Sequence, residues 1–187
     1  MGRWRERFVL DCHVLSSTYV GDDEFGHPRF ETQRSDLGEL LYRLKYQGQT
    51  SAIDQIAEAA AAFVRQWSIA VDVVVPVPPS LVARPHRPVA LLAKALGDRL
   101  GLPCLEEAVT KQRSTPQLKD VFDYNERLSL LAGAFVIAAC AVRGSRVLLV
   151  DDLYRSGATM NAVASVLFDQ GGAAEVYALA MTRTRRR

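Results

Sequence analysis

Cysteine is scarce in this chain of 187 residues: Cys12, Cys104 and Cys140 stand far apart and form no C-x-x-C pair, which argues against both a disulfide framework and a zinc site. Lone thiols of this kind read as small buried apolar residues rather than nucleophiles. Net charge is slight as well; at +2 it is too small to argue for a nucleic-acid partner. Much of that excess sits in Arg183-Thr184-Arg185-Arg186-Arg187, which reads first as a solvated terminus and only second as a contact for phosphates. No long apolar run follows the charged start Arg3-Trp4-Arg5-Glu6-Arg7, so neither a signal peptide nor a membrane span is expected, and the protein reads as cytoplasmic. The phosphate-loop pattern G-x-x-x-x-G-K-[ST] is missing, and there is no internal repeat, low-complexity tract or linker. A single domain, 1–187, is the expectation.

What is present is an alternation of strand and helix patterns. Phe8 to Tyr19 reads as a strand, half of a hairpin, followed by the turn-rich stretch Gly21 to Pro28. Asp36 can cap a helix carrying Leu37, Leu40, Leu41 and Leu44 on one face, and Ser51 opens an alanine-rich helix with Ile53, Ile56, Ala60, Phe63 and Val64 on one side. Val71 to Val75 and Val147 to Val150 are nearly continuous apolar runs, the pattern of strands buried on both faces. A helix is expected from about Pro88 to Leu100, a strand starting at Cys104-Leu105, loop over most of Thr110 to Tyr124, and a strand near Ala134 to Ile137. A helix after Gly157 should stop near Gly171-Gly172, before a last strand from Glu175 to Met181. The pattern implies an α/β domain with a mostly parallel central sheet flanked by helices.

The chemistry concentrates in Val147-Leu148-Leu149-Val150-Asp151-Asp152-Leu153-Tyr154-Arg155-Ser156-Gly157-Ala158-Thr159. Two carboxylates appear where a buried strand leaves the sheet, the end at which open α/β folds bind ligands. The turn Arg155, Ser156, Gly157, Ala158, Thr159 then opens a helix, whose unpaired N–H groups and partial positive charge suit a phosphate. Gly157 permits close backbone approach, and the Ser156 and Thr159 hydroxyls add donors. Acids beside an anion site suit a ligand that also carries hydroxyls and develops positive charge. A ribose 5-phosphate whose C1 loses a leaving group meets that description. A Walker B strand is the weaker reading, because its phosphate loop is absent. A receiver-domain pocket is weaker too, because its acidic strand belongs near the N-terminus. A plain strand, turn and helix with solvated acids is the bland alternative.

This segment resembles the phosphoribosyl pyrophosphate (PRPP) motif of type I phosphoribosyltransferases, a hydrophobic strand running into two acids and a Thr-Thr-Gly-x-Thr-like turn. The wider chain is similar to the ComF (late-competence) branch, through Asp36-Leu37-Gly38 with Leu44-Lys45-Tyr46, Val75-Pro76-Val77-Pro78, Thr115-Pro116-Gln117 with Glu126-Arg127, and Gly133-Ala134-Phe135. It departs from that branch in lacking the N-terminal four-cysteine zinc element, so no zinc is expected. It also has Arg84-Pro85-His86-Arg87-Pro88 where Arg-Gly-Phe-Asn-Gln is usual, and Arg155 where the turn's first hydroxyl residue belongs.

The resemblance implies a type I phosphoribosyltransferase-like fold, with a small N-terminal hood or extension over residues 1–35 and a core over 36–184. It implies transfer of 5-phosphoribosyl from PRPP to an unidentified nitrogen nucleophile, a nucleobase or related amine, with loss of pyrophosphate and help from Mg²⁺. Asp151 and Asp152 are then the catalytic pair on the ribose hydroxyls, directly or through PRPP-bound metal. Residues 155 to 159 hold the 5-phosphate. Val77, Pro78, Pro79 and Ser80 form the pyrophosphate loop, with Arg84 or Arg87 in reach, and Lys111, Arg113 and Lys119 belong to a closing loop. The alternative is a PRPP- or nucleotide-binding partner protein without turnover, serving DNA uptake or processing. Acceptor and oligomeric state, a homodimer included, stay open.

Overall fold

The computed structural model describes residues 2–79, 87–116, 121, 123–138 and 141–184. Its centre is a four-stranded parallel sheet of β1 (Glu6–Cys12), β4 (Val73–Pro76), β7 (Arg146–Tyr154) and β8 (Glu175–Arg183), in the order β1-β8-β7-β4. A single parallel bridge from Cys104 to Val74 extends the β4 edge, where a further strand was expected. Val147 to Val150 and Val74 to Val75 are fully buried, which explains their unbroken apolar sequence. Burial of each such side chain stabilises the fold by roughly 1.5–3 kcal/mol.

Because successive side chains on a strand point to opposite faces, these runs feed two cores. Val74, Leu148, Val150, Leu179 and Met181 pack under α1 (Asp36–Tyr46), α2 (Ala52–Trp67) and α3 (Pro88–Leu100). Val73, Val75, Val147, Leu149 and Ala178 pack under α5 (Ala158–Asp169) and a small antiparallel pair, β5 (Val109–Lys111) with β6 (Phe135–Ile137). The helix α4 (Tyr124–Leu131) lies on this second side, against α5. It falls in and after the stretch read as loop, and it buries only Leu131, so it leaves little periodicity. Its signature is a cap: the Asp123 carboxylate accepts from Glu126 N–H at 2.8 Å, and an acid three residues ahead of a glutamate is a helix-start pattern.

The N-terminal region differs from the expectation. The stretch read as one strand breaks at His13, and β1 joins the central sheet beside β8. The following strands β2 (Val14–Asp22) and β3 (Pro28–Arg34) stand outside it, as an antiparallel hairpin closed at Asp23, whose carboxylate accepts from the Phe25 and His27 N–H groups. Within the first 35 residues, residues 6–12 belong to the central sheet and the hairpin is separate from it.

The start of α1 is pinned to the end of β1. Ser35, rather than Asp36, is the cap: its hydroxyl accepts from Gly38 N–H at 3.0 Å and donates to the Cys12 carbonyl at 2.5 Å. Gly38 is needed there because a Cβ would stand 2.3 Å from the His13 carbonyl oxygen. Gly38→Ala is expected to lower stability by about 1–3 kcal/mol through this overpacking. Urea unfolding measures it, and an unchanged midpoint would contradict the contact.

Candidate functional site

Strand β7 runs through the two acids to Tyr154, four residues beyond the apolar run, because backbone pairing with β8 continues at Asp151–Ala180, Leu153–Thr182 and Tyr154–Arg183. The strand's alternation therefore divides the acids. Asp151 lines a cleft of about 220 Å³ together with the whole turn 155–159 and Arg127. Asp152, almost buried, turns to the other face and is ion-paired with Lys45 of α1. The pair are sequence neighbours with different surroundings. The Asp152 N–H donates to the Asp151 carboxylate at 2.8 Å.

Burial first, and then the Asp152 charge, push the Asp151 carboxyl up to about 8; the Lys45 ammonium and the Asp152 N–H pull the other way. His13 lies nearby, its ring nitrogen 3.2 Å from the Thr182 hydroxyl, and that hydroxyl donates to the Asp152 carbonyl at 3.2 Å. Burial, followed by the charges of Lys45 and Arg34, lowers the His13 pKa, which favours its neutral form. Lys45 thus neutralises a carboxylate that faces a crowded, cation-rich wall.

The side chains of this ion pair are only 16% and 12% exposed, so removing one partner leaves a nearly buried charge. Lys45→Met is expected to destabilise the protein by about 3–5 kcal/mol. Adding Asp152→Asn should restore more than half of that loss, as read by denaturant unfolding. Equal stability of Lys45→Met and the parent would show the pair to be ornamental.

The turn is built for backbone donors. Gly157 has φ +79° and starts α5 without any side-chain cap, and no acid lies in the first turn of that helix. The Ser156 hydroxyl accepts only a long contact, 3.4 Å, from Ala158 N–H. The N–H groups at the start of α5 therefore open on the cleft, with the helix dipole behind them. Tyr154 supports the turn from beneath: its hydroxyl donates to the Ser156 carbonyl at 3.2 Å, and its ring packs on Gly157 so closely that a Cβ there would lie 2.5 Å from the phenol oxygen. Arg155 is exposed and lines the same cleft. Arg127, opposite, is the residue that motif reading passed over. It reaches the cleft from α4, its Nε–H donating to the Val121 carbonyl at 2.6 Å, and it stood in the sequence only as one half of Glu126-Arg127.

The other expected residues separate into groups. Val77 donates its N–H to the Val150 carbonyl at 2.8 Å, so the segment Val77, Pro78, Pro79 leaves the sheet beside Asp151. Ser80, Arg84 and Lys119 lie outside the described residues. Arg87 is the residue before α3 and pairs with Glu107 at 3.5 Å. Lys111 is in strand β5, not in a loop; its ammonium donates to the Thr115 hydroxyl at 2.6 Å. Arg113 binds the Leu130 and Ala132 carbonyls at the end of α4, at 3.0 and 2.7 Å. Lys111 thus lies in a strand, and both basic residues have protein partners in the ligand-free structure.

The chain superposes on the adenine phosphoribosyltransferase of Thermoanaerobacter pseudethanolicus with a TM-score of 0.50 at 18% identity, over 90% of this chain and 95% of that one. It has the fold of the type I phosphoribosyltransferases. The glutamine PRPP amidotransferase of B. subtilis, complexed with ADP and GMP, gives a TM-score of 0.51 at 20% identity, over 84% of this chain and 34% of that one. An allosteric regulatory enzyme of purine biosynthesis gives 0.46 at 18% identity, over 69% of this chain and 26% of its own. The chain thus spans about a third or less of the two larger enzymes. No protein-family profile matches the sequence, and no curated protein matches it. In this phosphoribosyltransferase fold the acids and the turn stand at the C-terminal end of a central strand, where open parallel sheets take their ligands. No helix among the described residues is long and apolar enough to cross a membrane.

Proposed function

We propose that this chain binds PRPP across the end of β7 and transfers its 5-phosphoribosyl group to a nucleobase or related amine, releasing pyrophosphate. One observation carries the reading: a carboxyl and an uncapped helix start, with a left-handed glycine between strand and helix, line a single cleft. The 5-phosphate is assigned to the amides of Ser156 to Thr159, with Arg127 and Arg155 as charge partners. Asp151 takes the ribose hydroxyls, which donate to its carboxylate. Asp152 acts from behind, holding Lys45 and shaping the charge that Asp151 experiences. The pyrophosphate falls to the segment 77–79 and, in the same assignment, to Ser80 and Arg84; Arg87 would first have to leave Glu107.

As the C1–oxygen bond to pyrophosphate breaks and the C1–nitrogen bond forms, positive charge builds on the ring. An ionised Asp151 beneath it stabilises that charge in a partly buried site. The residues suit a metal that arrives with PRPP rather than one held by the chain: among the described residues no group of three or more His, Cys, Asp or Glu converges, and Asp152 is already paired. Mg²⁺ bound to PRPP would neutralise the leaving group, with Asp151 the residue placed to meet it.

The raised Asp151 pKa makes binding pH-dependent. Ribose hydroxyls and cationic charge favour the ionised carboxylate, so binding expels the proton that the free protein holds below about pH 8. PRPP affinity with magnesium should rise as pH climbs from 6 towards about 8 and then level off. Calorimetry in buffers of different ionisation enthalpy should register proton release near pH 7. Product formation with a panel of labelled bases tests the transfer itself, and absence of any PRPP binding by folded protein would end the reading.

A second reading, a PRPP-binding partner protein of the ComF kind without turnover, is favoured by the Lys45 contact that occupies Asp152. PRPP binding without product, together with salt-sensitive DNA binding, would select it.

A further inference from the structure

A second cleft, of about 440 Å³, opens beside the phosphate turn on the β1 side, and its walls match a different ligand. Three aromatic side chains line it, Trp4, Tyr124 and Tyr154, with Arg5, Arg7, the Ser156 end of the turn and Glu6, whose carboxylate accepts from the Trp67 indole N–H at 2.9 Å. Its volume falls in the range that small-molecule sites occupy, about 300–1,000 Å³. Arg5 is already ion-paired with Glu175. Arg7 is not paired with any carboxylate among the described residues; it hydrogen-bonds the Tyr154 hydroxyl and lies over aromatic faces, 4.4 Å from the Tyr154 ring centre and 6.0 Å from that of Trp4. A guanidinium held by rings, without a direct ion pair, offers its planar donors to an anion. The Tyr124 phenol faces the same space; burial, and then the neighbouring Tyr154, raise its pKa and keep it a neutral donor.

The geometry points to a nucleotide site in this cleft, separate from the Asp151 site: a nucleoside monophosphate whose base stacks on Trp4 and Tyr124 while its phosphate engages Arg7. Tyr154 joins the two clefts, since it contacts Arg7 on one side and supports the Ser156 carbonyl and Gly157 on the other. A phosphate that draws Arg7 off Tyr154 therefore alters the support beneath the turn, and the effect is reciprocal by linkage. The cleft's ligand does not depend on what the turn holds; only the coupling rests on the proposed function.

The chain has two tryptophans, so Trp67→Phe leaves Trp4 as the sole fluorescent reporter. Titration of that protein with AMP and with GMP is expected to give saturable quenching of Trp4. Arg7→Ala and Tyr124→Leu should each weaken it about tenfold or more, the effect of losing one charged or stacking contact, and Asp151→Asn should leave it unchanged. Inorganic phosphate alone should not quench. Saturating ribose 5-phosphate should shift the nucleotide affinity in this protein but not once Tyr154→Phe is added. Quenching that is lost in Asp151→Asn and kept in Arg7→Ala would put the nucleotide in the first cleft and overturn the proposal, as would absence of saturation at millimolar nucleotide. If ribose 5-phosphate proves not to bind, the reading of the turn fails while the quenching series still judges this cleft.

Discussion

Asp151→Asn is expected to leave the ligand-free protein as stable as the parent near pH 4 and progressively more stable as pH rises from there to about 8, while PRPP affinity falls about 10–100-fold. The stability half follows from the titration. The folded protein holds the Asp151 proton far more tightly than the unfolded chain, in which aspartates titrate near 3.8. The contribution of this group is therefore complete below about pH 4 and is lost progressively as pH rises towards about 8. Asparagine imitates the neutral acid and still accepts from Asp152 N–H, so nothing is left to lose. The binding half follows because a neutral amide cannot supply the charged acceptor that ribose hydroxyls meet, and such a bond contributes roughly 1.5–3 kcal/mol. Melting temperature against pH and calorimetry with PRPP and magnesium measure the two halves. A variant that is less stable at every pH, or that binds PRPP like the parent, would remove Asp151 from the site.

Gly157→Ala is expected to cut affinity for ribose 5-phosphate by about a hundredfold, the scale on which an ångström of misplacement acts. Two penalties combine. A left-handed conformation at φ +79° costs a side-chain-bearing residue about 1–2 kcal/mol. The new methyl group would also lie 2.5 Å from the Tyr154 oxygen and 2.7 Å from its ring, so the turn or the tyrosine must move. Either shift re-aims the amides that start α5. Tyr154→Leu in the same protein removes the clash but not the backbone cost, and should return part of the stability and little of the affinity. Equilibrium dialysis with ribose 5-phosphate provides the measurement, and parental affinity in Gly157→Ala would show that the turn does not hold the anion.

The parts of the fold that were legible in the sequence are those where one physical pressure dominates. The runs ending at Val75 and Val150 are buried on both sides and could hardly read otherwise, and α3 carries proline at its start and Gly101 at its end. That Asp151 and residues 155–159 would share one cleft was legible because acids, glycine and hydroxyls follow one another from the strand's end into the helix start. Three features were not. The division of Asp151 from Asp152 depends on strand alternation continuing past the apolar run, which is decided by hydrogen bonding to β8 rather than by residue type. Lys45 ends an ordinary amphipathic helix, and only the packing of α1 over the sheet brings it to Asp152. Arg127 sits on a helix whose sequence is polar on most faces, so no periodicity announced it. Lys111 and Arg113 read as members of a closing loop because the stretch is polar; the strand pairing of Lys111 and the carbonyls that accept from Arg113 are decided by tertiary packing rather than by residue type.

The sheet also fixes an order of assembly. Among the described residues strand β1 hydrogen-bonds only β8 within the sheet, and β8 follows every other strand of that sheet in the chain. Before β8 pairs, Phe8 has its partners Phe63 and Trp67 on α2 but its backbone has none. Closing a loop of this span carries a large entropy cost before any contact repays it. The folding chain must therefore wait with β1 unmatched, a ready template for a neighbouring chain. The β1–β8 pairing spans the greatest sequence separation of any pairing in the sheet, so it carries the largest loop-closure cost.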